Sequence, residues 1–306
     1  MGEMIEVYAG SVQSWECDPM GHMNVQFYVA RATDGLASLA LALGLGPCFS
    51  RREGAGLVAV DHHIRFLREF RPGAPFRVRA GVLAVGDDRL QVFEQFENSA
   101  TGVPAATFIA EVRLVDFATR DVRPLPDTAR ARARGLTVAL PDHGAPRGLA
   151  LDPPGPAPTL EDAESSGMLP VYQGVVAPAD CDAHGYLATP NYIARISAAV
   201  PNVIAITRGI DRSADDSSGG AALEYRLIYR AAPQAGDILV LYSAIKSIGG
   251  KTFIWGHRLF DKETGKAVAT SETVAVNLDL VNRRAKEIPD DMRTGLARHL
   301  VPELAV

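Results

Sequence analysis

Apolar positions recur along this chain with two periods, and the order of those periods occurs twice. A short strand-like run from Glu6 to Val12 precedes a stretch in which Phe27, Ala30, Leu36, Leu39, Ala40 and Leu43 return close to helical spacing, closed by Gly44-Leu45-Gly46-Pro47. Strand-like runs follow at Phe76 to Leu83, Leu90 to Glu97 and Ala105 to Phe117, punctuated by turns at Gly86-Asp87-Asp88 and Thr101-Gly102. The second half repeats the order with Val171 to Val176, then Ile193, Ile196, Ala199 and Val200, where Pro201 predicts a kink or break. Ile238 to Ile248, Thr252 to Phe260 and Val268 to Leu280 complete it. Each half therefore predicts one helix followed by three or four antiparallel strands. The expected fold class is α+β, each sheet wrapped over its helix.

The repetition extends to individual residues. Trp15-Glu16-Cys17-Asp18-Pro19-Met20-Gly21-His22-Met23-Asn24 and the following Tyr28 and Ala30-Arg31 return 164 positions later, beginning Ala179-Asp180-Cys181-Asp182-Ala183-His184-Gly185-Tyr186-Leu187-Ala188 and ending Tyr192 and Ala194-Arg195. Later landmarks, Gly73 with Gly236 and the Thr101-Gly102 turn with Thr264-Gly265, are offset by 163. Solenoid repeats recur every ~20–50 residues, so this period means two copies of one domain. In the second copy Tyr186 and Ala188 replace His22 and Asn24.

Length agrees with that division, since 306 residues suggest about two domains of ~150 residues each. Nine of the 20 prolines lie between Pro124 and Pro170, a density that rules out a continuous helix or central strand there. The expected organisation is a first domain over 1–123, a crossover linker over 124–169 and a second domain over 170–306. Within the linker, Ala129-Arg130-Ala131-Arg132-Ala133-Arg134 reads as a helical turn or, better, as a solvated surface run. A net charge of -5 offers no general attraction for nucleic acid or an anionic membrane. The longest uncharged stretch, Gly35 to Ser50, has 16 residues and falls short of the ~20 needed to span a bilayer. The acidic start lacks a secretory pattern, and Cys17, Cys48 and Cys181 form neither a disulfide framework nor a zinc pattern, so a cytoplasmic protein is expected.

Asp18-Pro19-Met20-Gly21-His22-Met23-Asn24, followed by Tyr28 and a helix, resembles the motif of hotdog-fold acyl-thioester hydrolases, including plant-type acyl carrier protein thioesterases. Glu16-Cys17-Asp18-Pro19 and Asp180-Cys181-Asp182-Ala183, with Pro190-Asn191-Tyr192 after the latter, are similar to the 4-hydroxybenzoyl-CoA thioesterase branch. The resemblance covers both halves apart from the linker. It implies two tandem hotdog domains and hydrolysis of an acyl-CoA or acyl carrier protein thioester. Coenzyme A enters as part of the substrate, with no further cofactor and no metal. Exposed sheets of double hotdogs often pair, so a homodimer is expected.

Thioester hydrolysis needs a nucleophile or a base for water, and donors aimed at the oxyanion that develops on the carbonyl. Asp18 suits the first role. Gly21 precedes a helix N-terminus, where free N–H groups and the dipole favour negative charge. His22 is placed to orient the substrate or donate to its carbonyl, and Asn24 to position water or cap the helix. Because the resembling enzymes build sites where two hotdog units meet, Glu224 is a candidate second carboxylate and Tyr225, like Tyr28, a substrate contact. Asp182, His184 and Asp61 mark a possible second site. Strand alternation turns Cys17 and Cys181 toward the core, as small buried residues, when Asp18 and Asp182 face the substrate. Arg65, Arg68 and Arg71 are candidates for coenzyme A phosphates. Asp61-His62-His63 lacks further ligand spacing, and its histidines are expected at the surface or in caps. Two rival functions remain: an enoyl- or 3-hydroxyacyl-thioester hydratase or dehydratase, and a non-catalytic acyl-CoA-binding protein.

Overall fold

A computed structural model describes residues 2–46, 54–208 and 218–304, so Pro47 and Cys48 lie outside the described residues. The chain forms two compact units: Met1–Pro146 with Asp182–Ile193, and Arg147–Cys181 with Ala194–Val306. The expected linker is thus shared out, its first part packing with one unit and its second with the other.

In the first unit β1 (Ile5–Ser11) leads through a short 3-10 turn into α1 (Val25–Ala42), followed by β2 (Ala55–Phe66), β3 (Pro75–Val85), β4 (Arg89–Asn98), β5 (Pro104–Asp116) and the short β6 (Val122–Arg123). The strands pair antiparallel in the order β1-β3-β4-β5-β2, with β6 on β5. Helix α1 lays Tyr28, Val29, Ala32, Gly35, Leu36, Leu39 and Ala40 against this sheet. Phe27 and Ala30, expected on that face, are only half-buried. The buried stripe lies one residue round the helix, because Tyr28 rather than Phe27 meets Phe66, Phe70 and Phe96. Phe76, Phe96 and Phe108 are fully buried beneath it, and Phe93 is fully buried on the other face of β4 against Gly144, each contributing about 1.5–3 kcal/mol of burial.

The run of alternating alanine and arginine is not merely a surface strip. It forms the helix α2 (Asp127–Gly135), whose Ala129 and Ala133 are buried. Those two alanines meet the protein, while Ala131, Arg132 and Arg134 face outward.

The second unit repeats the plan with α3 (Leu160–Ser165), β7 (Leu169–Val175), α4 (Pro190–Arg208), β8 (Ser218–Tyr229), β9 (Ile238–Ile248), β10 (Thr252–Asp261), β11 (Ala267–Asp279), β12 (Arg284–Ala285) and α5 (Asp290–Ala297). Strand order is β8-β11-β10-β9-β7, with β12 on β11. Helix α4 runs through Pro201 without ending. Pro201 lies on the exposed side of the helix. Each unit is the expected sheet curled over one helix.

A proline-rich strap cannot satisfy its own backbone, so neighbouring side chains do it. In the first unit Arg65 donates to the carbonyls of His143 and Ala145 at 2.9 and 2.7 Å. In the second, Arg226 donates to Ala150 and Asp152, and Arg230 to Gly155. Glu224 does the converse, receiving N–H groups from Arg147, Gly148 and Leu149 at 3.0, 2.7 and 3.4 Å.

Candidate functional site

The first phrase folds into a tight hairpin leading into α1. Cys17 and Met23 form an antiparallel bridge, Asp18 N–H donates to His22 O at 3.0 Å, and Asn24 N–H donates to Glu16 O at 2.9 Å. Gly21 closes the turn at φ +76°, a conformation costly for other residues. Its N–H is taken by Asp18 O, and Met23 N–H reaches Phe70 O, both at 2.9 Å. Asn24 caps α1, its Oδ1 receiving Gln26 N–H at 3.0 Å.

What remains after this backbone pairing is chemically useful. Asp18 uses Oδ1 to receive Met20 N–H at 2.9 Å and turns Oδ2 to within 3.2 Å of His22 Nδ1. Both side chains are about one-fifth exposed (21% and 20%), enough for water to reach them. Among the described residues, the N–H groups of His22 and Val25, flanking the helix cap, carry no hydrogen bond. A carboxylate, an imidazole and two free donors at a positive helix end therefore lie within one short segment. On its other side His22 Nε2 lies 4.0 Å from Glu69 Oε1, and Arg71 sits 3.4 Å from Glu69 Oε2.

An acid and an arginine anchor the hairpin to its helix. Glu16 is buried and pairs with Arg31 of α1, which also meets Asp34 at 3.0 Å and the Tyr8 ring at 5.4 Å. Asp180 and Arg195 reproduce the clasp in the second copy at 2.8 Å. Cys17 and Cys181 are half-buried, their thiols on the carbonyls of Gln13 and Ala177 at 3.6 and 3.5 Å. Burial and the neighbouring carboxylates of Asp18 and Glu16 push the Cys17 thiol up, which opposes the thiolate that a nucleophile needs.

The second phrase keeps the hairpin and changes its contents. Asp182 N–H donates to Tyr186 O, and Gly185 adopts φ +84°. Asp182 Oδ1, however, receives two N–H groups, from His184 at 2.8 Å and Tyr186 at 3.2 Å. The donor left open at His22 is thus occupied at Tyr186. His184 stacks on Phe117 at 4.3 Å and Arg120 lies over the Tyr186 ring at 4.5 Å, all within the first unit.

The other candidates occupy varied settings. Tyr28 is buried, its hydroxyl receiving Phe70 N–H at 3.4 Å, and burial raises its pKa. Tyr225 is also buried, its hydroxyl pushed up to about 12 by burial against a weaker opposing bond from Thr273. Glu224 is 3% exposed and anchors the strap, and Arg65 does the same in its own unit. Arg68 is exposed and lines a groove of about 370 Å³ with Glu69, Phe70, Asn98, Thr101, Val103 and Ala105. Asp61 sits half-buried at an irregularity of β2.

His62 and His63, expected at the surface, are instead buried, because both faces of β2 are covered there. Desolvation holds His62 down to about 3, and its ring meets Phe108 edge-on at 5.6 Å. Among the described residues no group of three His, Cys, Asp or Glu could hold a metal, and no helix is long and apolar enough to cross a membrane. Reading the sequence missed Glu69, which bears no motif. Its signal is the comparison of the two copies taken up below.

Two sheet-over-helix units with an acid-bearing hairpin at the helix N-terminus define a tandem hotdog thioester hydrolase. Residues 12–133 and 176–296 each match the model of the thioesterase-like superfamily, and the chain belongs to that family. Three solved structures share its fold. A 12:0-ACP thioesterase from Umbellularia californica is 16% identical, with 90% of this chain and 94% of that one covered and a TM-score of 0.67. An oleoyl thioesterase of provisional assignment from Lactobacillus plantarum is 13% identical, with 90% and 96% covered and a TM-score of 0.67. An acyl-ACP thioesterase from Bacteroides thetaiotaomicron is 14% identical, with 88% and 96% covered and a TM-score of 0.59. No curated protein matches the sequence.

Proposed function

We propose that the first phrase is the hydrolytic site and that its substrate is an acyl thioester of coenzyme A or of an acyl carrier protein. The observation that carries this reading is the Asp18–His22 pair at 3.2 Å beside the unbonded N–H groups of His22 and Val25. Asp18 takes a proton from water as the water oxygen bonds to the thioester carbon. The carbonyl oxygen gains negative charge, which the two N–H groups and the N-terminal end of α1 stabilise. Collapse breaks the carbon–sulfur bond, and the proton held by Asp18 passes to sulfur, leaving a carboxylic acid and a free thiol. His22 fixes the direction of the Asp18 carboxylate through Nδ1 and presents its ring edge to the substrate. Arg68, exposed beside its groove, is suited to a phosphate of the thiol carrier.

Thiol release from a panel of acetyl-, benzoyl-, decanoyl- and oleoyl-CoA tests the reading. Asp18→Asn should lower turnover by about 100- to 10,000-fold, the size of general-base assistance, with an unchanged melting temperature. Near-normal turnover would remove Asp18 from the mechanism. Water consumption without thiol would instead indicate a hydratase, and tight binding without any reaction a carrier of acyl-CoA. In a single turnover in oxygen-labelled water, label in Asp18 would mark an acyl-Asp18 anhydride opened by water at the carboxylate-derived carbon, a product that the direct water route does not give.

A further inference from the structure

We infer that Glu69, on the loop between β2 and β3, is a positioning residue that acts on the reaction through His22. The inference rests on the hydrolytic reading of the first phrase and names a participant outside the repeated motif.

Three observations converge on Glu69. His22 is flanked by carboxylates on both ring nitrogens, Asp18 Oδ2 at 3.2 Å from Nδ1 and Glu69 Oε1 at 4.0 Å from Nε2. Glu69 is itself directed by Arg71, and Arg71 reaches back toward Gly21, where a methyl group added at Cα would stand 3.7 Å from its Nη1. The loop is also tied to the hairpin through the backbone, since Phe70 O receives Met23 N–H at 2.9 Å. Glu69 therefore sits on a segment whose distance from His22 is set by a hydrogen bond only one residue away on each side.

The two copies supply the independent argument. The loops correspond residue by residue, because Leu67 and Arg68 donate to Ala105 O as Arg230 and Ala231 donate to Val268 O, and Ala74 donates to Arg71 O as Asp237 donates to Gln234 O. In that register Arg68, Glu69 and Arg71 correspond to Ala231, Ala232 and Gln234. The copy that has lost its histidine, with Tyr186 in place of His22, has lost the facing carboxylate and its arginine as well. The features that shape the hairpin behave otherwise: the left-handed glycines Gly21 and Gly185, and the acid–arginine clasps, persist in both copies. Glu69 segregates with the chemistry and not with the hairpin.

A separation of 4.0 Å is an ion-pair distance, longer than a hydrogen bond, and both side chains are partly exposed. The influence is accordingly modest. Glu69 holds the imidazole edge-on between two acids, so that the ring cannot rotate away from Asp18 when substrate enters.

The test is a double-mutant cycle with the panel thioester that is hydrolysed fastest, joined to a measurement that needs no substrate. Glu69→Gln should lower kcat by about 2- to 5-fold, the range of an exposed ion pair, with KM within about 2-fold. In a His22→Asn background the same change should have no further effect, since its route of action is gone. An equal loss in both backgrounds, or a rise in KM alone, would overturn the inference. In the free protein, the ring-nitrogen NMR resonances of His22 should shift in Glu69→Gln, and unmoved resonances would overturn it equally. Should the wild-type protein release no thiol from any thioester, the hydrolytic reading fails, and the resonances still decide whether Glu69 acts on His22.

Discussion

Gly21 and Gly185 hold the same turn in the two phrases, at φ +76° and +84°, and among the described residues a Cβ at Gly185 would meet open space and one at Gly21 only Arg71 Nη1 at 3.7 Å. Alanine at either position meets backbone strain rather than a clash, costing about 1–2 kcal/mol. Both substitutions should therefore lower the melting temperature by similar amounts. Their effects on turnover should part, because only Gly21 shapes the segment that carries Asp18, the open His22 N–H and the cap of α1. Gly21→Ala should lose most of its thiol release and Gly185→Ala should keep it; loss in both would show that the second phrase also works in catalysis. Asp18, His22 and Asn24 were legible in the sequence because their geometry is set within a single short hairpin. Glu69 was not, since its place beside His22 comes from a loop joined to the hairpin only through Phe70 O. Nor were Glu224 and Arg65, whose buried or half-buried charges serve a proline-rich strap that no local pattern connects to them.

At the scale of elements, the helix and the hairpin before it are held together by the repeated clasp of acid and arginine. The repetition of Glu16 and Arg31 as Asp180 and Arg195 was visible in the sequence, but their pairing was not, because it needs the helix to rise and turn back over the 3-10 segment. Glu16 is nearly inaccessible, so Arg31→Met leaves a buried carboxylate without its cation. That should cost about 3 kcal/mol. The double variant Glu16→Gln/Arg31→Met should recover part of the loss, which chemical denaturation of the set would measure; a double variant weaker than the single would deny the pairing. Strand limits were read more closely than helix faces. Ile238 to Ile248 is strand β9 to the residue, whereas α1 buries the stripe of Tyr28 instead of Phe27. Alternation within a strand is set by the backbone, while a helical stripe depends on which neighbours meet it, here three phenylalanines contributed by other elements.

For the whole molecule, the paired architecture followed from the repeat, but the charge state of its interior did not, since burial decides it. Among the described residues, two buried histidines whose pKa burial lowers oppose one buried acid whose pKa burial raises. Desolvation lowers His62 to about 3 and His257, hydrogen-bonded to Ser243 at 2.8 Å, to about 4. Both are neutral when folded and bind protons when unfolded, so stability is present above the ordinary histidine pKa and is lost as pH falls below it. Glu94 behaves inversely. It is fully buried on β4 facing Gly35, neither carboxylate oxygen has a hydrogen-bond partner among the described residues, and desolvation raises its pKa well above the usual value. Folded Glu94 keeps its proton where the unfolded chain releases it, so its contribution falls as pH rises above the ordinary carboxylate range. Between about pH 4.5 and 6.5 the two histidines outweigh the one acid by one proton, and stability should rise by about 1.4 kcal/mol per pH unit. Above about pH 6.5 the acid acts alone and the slope should reverse. The three groups together place a stability maximum near neutrality, on the acid side. Glu94→Gln keeps the volume and removes the titration, so its denaturation midpoint relative to the wild type should be higher at pH 8 than at pH 5. A difference that stays constant across that range would mean that Glu94 is ionised in the folded protein, with a partner for its charge.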